Sequence, residues 1–126
     1  MTLAQIFSPR KIGDDAERIA ERYLTQQGLK LLSRNYHCRY GEIDLIMQHA
    51  DALVFVEVKL RKTASGKVNF GGGLASITPS KQAKIIATAQ HYLSGIKQPP
   101  PCRFDAVVLN GLNLHDVEWL PNAFEA

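Results

Sequence analysis

Apolar and polar residues alternate through Gly41-Glu42-Ile43-Asp44-Leu45-Ile46 and again through Val54-Phe55-Val56-Glu57-Val58-Lys59. A period of two marks strands with one buried face. Between them, His49-Ala50-Asp51-Ala52 is a short polar break that can close an antiparallel hairpin. Upstream, Ala16, Ile19, Ala20, Tyr23 and Leu24 recur at helical spacing. That helix is predicted to start near Asp14 as N-cap and to stop at Gly28, placed as a C′ glycine. Residues 1–12 are expected to be frayed or loosely docked, and Leu29 to Tyr36 to form a first strand.

Downstream of the hairpin, residues 62–79 make a long glycine-rich connection, a length that accompanies function or disorder in compact domains. Thr78-Pro79 then opens a second helix, with Thr78 as N-cap and Pro79 at N1. Ile85, Ile86, Ala89, Tyr92 and Leu93 supply its apolar stripe, which ends near Gly95. Pro99-Pro100-Pro101 is a stiff spacer. Cys102 to Leu109 reads as a further strand, and Val117 to Leu120 as a short last one, paired through the Asn110-Gly111 turn region. Helix, three strands, loop, helix, two strands predicts an α/β fold with a central mixed β-sheet flanked by helices.

At 126 residues and 45% hydrophobic content, the chain is expected to form a single domain with one real core. A net charge of +3 favours polyanionic partners only weakly. Cys38 and Cys102 have no Cys-x-x-Cys spacing and read as reduced thiols, with a disulfide between them left open. The four histidines form no ligand-spaced pair, which argues against zinc. With no apolar leader segment and no apolar run of membrane length, the expectation is a soluble, cytoplasmic protein with no membrane partner.

Charge placement within the hairpin changes the picture. If Gln48 faces Leu53, then Ile46 faces Phe55, Asp44 faces Glu57 and Glu42 faces Lys59. Ile43, Leu45 and Met47 then share the other face with Val54, Val56, Val58 and Leu60, so that one side is core and the other chemistry. Two opposed carboxylates repel unless a cation or a shared proton lies between them. A hard, oxygen-seeking ion such as Mg²⁺ suits them, and Lys59 beside them can handle an attacking water.

Other polar residues have a bland and a functional reading. Glu17 is a helix-dipole acid or a further ligand from the helix, and the residues alone favour the first. Glu42 pairs with Lys59 in preference to binding metal. Arg61 is solvated or touches phosphate. Lys62 and Lys67 in the glycine-rich connection, and Lys81 and Lys84 in the second helix, are candidate phosphate contacts. Taken singly, each of these lysines reads first as solvated. Asp105 reads as a structural hydrogen-bonding residue, and His91 and His115 as surface residues.

Together, Gly13-x-x-x-Glu17, Gly28, Asn35, Gly41-Glu42-Ile43-Asp44-Leu45-Ile46, Val54-Phe55-Val56-Glu57-Val58-Lys59-x-Arg61, Lys81 and Cys102-Arg103-Phe104-Asp105 resemble the YraN-like family of predicted endonucleases. The resemblance runs from about Gly13 to Leu120. It implies a restriction-endonuclease-like fold, related to archaeal Holliday junction resolvases, and a PD-(D/E)xK-type site. In that site Asp44, Glu57 and the Val58 carbonyl would hold Mg²⁺ or Mn²⁺, Lys59 would position water, and Glu17 would match the acid that those resolvases supply from the first helix. Ile43 stands where the superfamily name has proline.

The expected function is therefore a metal-dependent endonuclease hydrolysing DNA, with branched or junction DNA as substrate and a homodimer as the form a junction resolvase would need. The alternative is a non-catalytic nucleic-acid- or protein-binding module on the same fold. A glycosidase reading of the Asp44–Glu57 pair leaves Lys59 without a task.

Overall fold

The computed structural model describes residues 9–61 and 77–126. The order is α1 (Pro9–Gln26), β1 (Lys30–Cys38), β2 (Gly41–His49), β3 (Ala52–Leu60), α2 (Pro79–Leu93), β4 (Cys102–Leu109), a 3-10 turn (Leu114–Asp116) and β5 (Val117–Phe124). α1 begins before Asp14, so Asp14 lies within the helix and residues 9–12 are helical, not frayed. The apolar periodicity starts only at Ala16, but proline suits a first helical turn and carries the start back to Pro9. At the other end Gly28 adopts φ +99°, the left-handed cap conformation that lets the chain turn into β1.

Five strands form one sheet in the order β1-β2-β3-β4-β5. β3 and β4 are parallel and every other pair is antiparallel, so the sheet is mixed. The β2–β3 hairpin closes on Ala50-Asp51, with Ala50 at φ +54°, and Gln48 faces Leu53 as the alternation predicts. Thr78 caps α2 by accepting from the Lys81 amide at 3.2 Å, ahead of Pro79. β5 extends to Phe124, further than its apolar run foretold, because Asp105 holds the Asn122 amide at 2.9 Å and keeps the chain against β4.

Both faces of the sheet are covered. Ala16, Ala20 and Leu24 of α1 pack on Leu45, Met47, Val54, Val56, Val107 and Leu109. Ile85 and Ala89 of α2 pack on Ile43, Ile46, Phe55, Phe104, Ala106 and Phe124. The leucine, isoleucine, valine, methionine and phenylalanine side chains among them stabilise by about 1.5–3 kcal/mol each when fully buried. The hairpin is therefore not core on one side and chemistry on the other. Ile46 and Phe55, expected on the charged face, lie fully inside beneath α2. Only the ends of the strands toward Gly41 and Leu60 carry the charged groups.

Asp105 is 1% exposed and fully engaged: it accepts from Arg103 Nε at 2.9 Å and Nη2 at 3.0 Å, and from Trp119 Nε1 at 2.9 Å. Its structural reading holds. Cys38 and Cys102 are both free thiols. Among the described residues, no helix is long and apolar enough to cross a membrane.

Candidate functional site

Within β2, strand alternation fails at Asp44. Ile43 packs beneath α2, whereas Leu45 packs beneath α1. Asp44 also faces α1, lining a cavity with Asp14, Glu17, Asn35, His37 and Glu42. Two consecutive residues of β2 therefore share a face. β1 makes the matching slip: Arg34 and Asn35 both reach α1-side glutamates, while Tyr36 packs with the α2 cluster. Asn35 achieves this with φ +50°. Asparagine is among the few residues that enter the left-handed region without large strain.

The slip is a correction to the hairpin register. Pairing of β2 with β3 runs from His49↔Ala52 to Leu45↔Val56. Beyond it Asp44 swings to the α1 side, while Glu57 and Lys59 follow Phe55 on the α2 side. Asp44 nonetheless stays within hydrogen-bonding reach of both Glu17 and Glu57. It also accepts the Val58 amide at 2.8 Å. A strand residue turns its N–H and C=O toward the same neighbour, so the Val58 carbonyl points to the Asp44 side. Glu42 accepts from Asn35 Nδ2 at 3.2 Å instead of pairing with Lys59, because the two lie on opposite faces. The cavity on the α1 side measures about 510 Å³.

Two glutamates one turn apart on α1 are driven in opposite directions. Glu21 accepts from Arg34 Nε at 2.6 Å and Nη2 at 2.8 Å, and that guanidinium holds its carboxyl below the ordinary value. Glu17 accepts from the neutral Asn35 amide at 3.0 Å. Burial, and then Asp44, push it up to about 7. Asp44 is raised to about 7 as well, by burial first and by Glu57 next. Burial also raises Glu57, against the pull of Lys81 and Lys59. Lys59 is lowered because the Lys81 amine lies within hydrogen-bonding reach of it, with burial adding to the effect. Mutually perturbed groups of this kind cluster at functional sites.

The donor chemistry suits a hard cation. Carboxylates converge on Asp44 from α1 and β3. Among the described residues, no three His, Cys, Asp or Glu side chains are closed into a ready-made metal cage. Mg²⁺ does not need one, since it uses one or two carboxylates with water and substrate phosphate completing its shell.

The remaining candidates are placed as follows. Lys81 joins Lys59 and Glu57, from the first turn of α2. Lys84 is exposed one turn on. Arg61 turns toward the β4–β5 connection, its Nη1 3.4 Å from Asn110 Oδ1. Lys62 and Lys67 lie outside the described residues. Asn35 is the residue whose role the alternation pattern hides. Its signal is an asparagine, poorly suited to strands, in the middle of a strand-like run.

The sequence comparisons agree on one family. A family model described as uncharacterised protein family UPF0102 matches residues 16–109. A UPF0102 protein of Nitrosomonas europaea is 51% identical over 113 residues, covering 90% of this chain and 92% of its own. One from Methylobacillus flagellatus is 48% identical over 117 residues, covering 93% and 99%. Another, from Saccharophagus degradans, is 51% identical over 114 residues, covering 89% and 91%. The matched segment contains Glu17, Asp44, Glu57, Lys59 and Lys81, and the chain belongs to the UPF0102 family.

Proposed function

We propose that this protein is a metal-dependent endonuclease of the restriction-endonuclease-like class, as its resemblance to the YraN-like nucleases implies. The observation that carries the reading is the convergence of Glu17 and Glu57 on Asp44, with Lys59 and Lys81 against Glu57. A purely structural cluster of partly buried acids at a strand break is costly, since burial opposes their ionisation.

Asp44, Glu57 and the Val58 carbonyl would hold Mg²⁺ or Mn²⁺, with Glu17 as a further ligand from α1. A bound divalent ion would lower the pKa of coordinated water and stabilise charge on the phosphoryl oxygens. Lys59 would orient the attacking water and offset developing negative charge at the phosphate. Its proximity to Lys81 suits an amine that exchanges protons readily. Asn35 would aim the Glu17 carboxylate through its amide. Lys81, Lys84 and Arg61 would position the DNA backbone without reading sequence. DNA shape would then decide the substrate, and action on four-way junctions would require a homodimer.

The test is incubation of labelled duplex, flap and junction DNA with Mg²⁺ or Mn²⁺. Wild type is expected to cleave at least one substrate, and Glu57→Ala and Lys59→Ala to lose that activity. Cleavage unaffected by either substitution, or none by wild type, would overturn the reading.

A further inference from the structure

The tip of the β1–β2 hairpin carries chemistry that the carboxylate site does not use. Tyr40 is 42% exposed there, yet it is held on several sides. Arg39 Cζ stands 4.8 Å from the ring centre, and Arg39 Nη2 donates to the Tyr40 hydroxyl at 2.6 Å. His91 of α2 meets the same ring at 6.3 Å in a T-shaped contact. The Tyr36 hydroxyl, 2.5 Å from His91 Nδ1, fixes His91 in turn. Tyr36 packs edge-on against Tyr92 at 5.2 Å, and Tyr92 against Phe55 at 6.1 Å. A continuous series of ring contacts thus ties exposed Tyr40 to the buried core.

The backbone adds to this anchorage. Gly41 has φ +154°, and a Cβ there would meet Thr88 Oγ1 at 3.2 Å and Lys84 Cβ at 3.5 Å. Glycine therefore lets the hairpin tip lie directly on α2. From this contact Lys84 leads, within one helical turn, to Lys81 beside Glu57 and Lys59. Along β2, Glu42 and Asp44 follow the tip.

An aromatic ring held exposed beside Arg39, with Lys84 and Lys81 following along α2, matches the needs of a single nucleic-acid strand. Bases stack on aromatic side chains while arginine and lysine follow the backbone. A base inside a duplex is already stacked on both sides, so only an unpaired base can use such a ring. We infer that Tyr40, fixed by Arg39 and His91, is the stacking platform for an unpaired base of the substrate strand, and that the substrate is DNA with a single-stranded segment. The inference rests on the nuclease reading and narrows its substrate.

The test measures binding of the full chain in EDTA, where no metal-dependent cleavage intervenes. One probe is a DNA flap carrying a fluorescent adenine analogue at its unpaired position, and the other a fully paired duplex of the same sequence. Wild type is expected to bind the flap tighter than the duplex and to quench the analogue. Tyr40→Ala should weaken flap binding about tenfold and leave duplex binding unchanged, and Tyr40→Trp should restore it. Equal binding of flap and duplex by wild type would overturn the inference, as would an equal loss for both, or no loss, in Tyr40→Ala. If wild type nevertheless cleaves duplex in Mg²⁺, the nuclease reading survives that failure. No binding and no cleavage of any DNA would end both.

Discussion

Asn35 and Asp44 stand opposite each other between the Arg34↔Leu45 and Tyr36↔Ile43 pairs, and both strands lose their alternation there. The left-handed turn at Asn35 and the displaced carboxylate at Asp44 are two halves of one distortion. It brings an acid of the central sheet within reach of Glu17 on α1 without moving it out of reach of Glu57 on β3.

Replacement of Asn35 separates backbone from side chain. Asn35→Val is expected to cost roughly 1–3 kcal/mol of stability, because a β-branched residue is strained at positive φ. Asn35→Gly should avoid most of that strain but release Glu17 and Glu42, which share the Asn35 amide. Urea unfolding reads the first effect. The second would appear as weaker Mn²⁺ binding by a chain of near-native stability.

Stability of the metal-free protein should fall as pH rises from about 4 to about 7. Glu17 and Asp44 move from ordinary values of 4.5 and 3.8 to about 7 in the folded chain. Across that window the folded state binds more protons than the unfolded state, so each unit of rising pH favours unfolding, and the loss levels off above it. Glu57 acts in the same direction. Glu21 acts oppositely and at lower pH, since Arg34 depresses it and its contribution disappears only as acid protonates it. Thermal unfolding in EDTA from pH 4.5 to 8 should show the decline, and Asp44→Asn should flatten it. A divalent cation at pH 8 should recover the lost stability.

Asp105 should matter for folding rather than for chemistry. It is buried, and Arg103, Trp119 and the Asn122 amide all donate to it. Asp105→Ala leaves those donors unpaired and is expected to cost at least about 2 kcal/mol. Trp119 fluorescence should report the loss, because its indole N–H bonds Asp105 directly. Per folded molecule, Mn²⁺ binding should be unchanged.

How legible the site was from the sequence depends on what each residue obeys. Thr78-Pro79, the hairpin from Gly41 to Leu60 and the strand Cys102–Leu109 follow local rules of capping and alternation, and the structure has them where those rules put them. Asp44 and Glu57 were legible as a pair because acids within alternating strands stand out against apolar neighbours. Their faces were not, since alternation assumes a regular strand and Asn35 breaks it. Burial of both sheet faces is marked by the unbroken apolar runs Leu45–Met47 and Leu53–Val56, which a reading by strict alternation passes over. The Lys59–Lys81 contact joins β3 to α2, elements that no local rule of capping or alternation pairs.

If the carboxylates gathered around Asp44 form a divalent-cation site, Mn²⁺ titration followed by electron paramagnetic resonance at pH 8 will reveal it. Wild type is expected to bind saturably, and Asp44→Asn and Glu57→Gln each to weaken binding by at least about tenfold. Asp51→Asn, an exposed substitution in the hairpin turn, should leave it unchanged. Binding that is absent in wild type, or that persists equally in all three variants, would mean that Asp44 and Glu57 hold no metal.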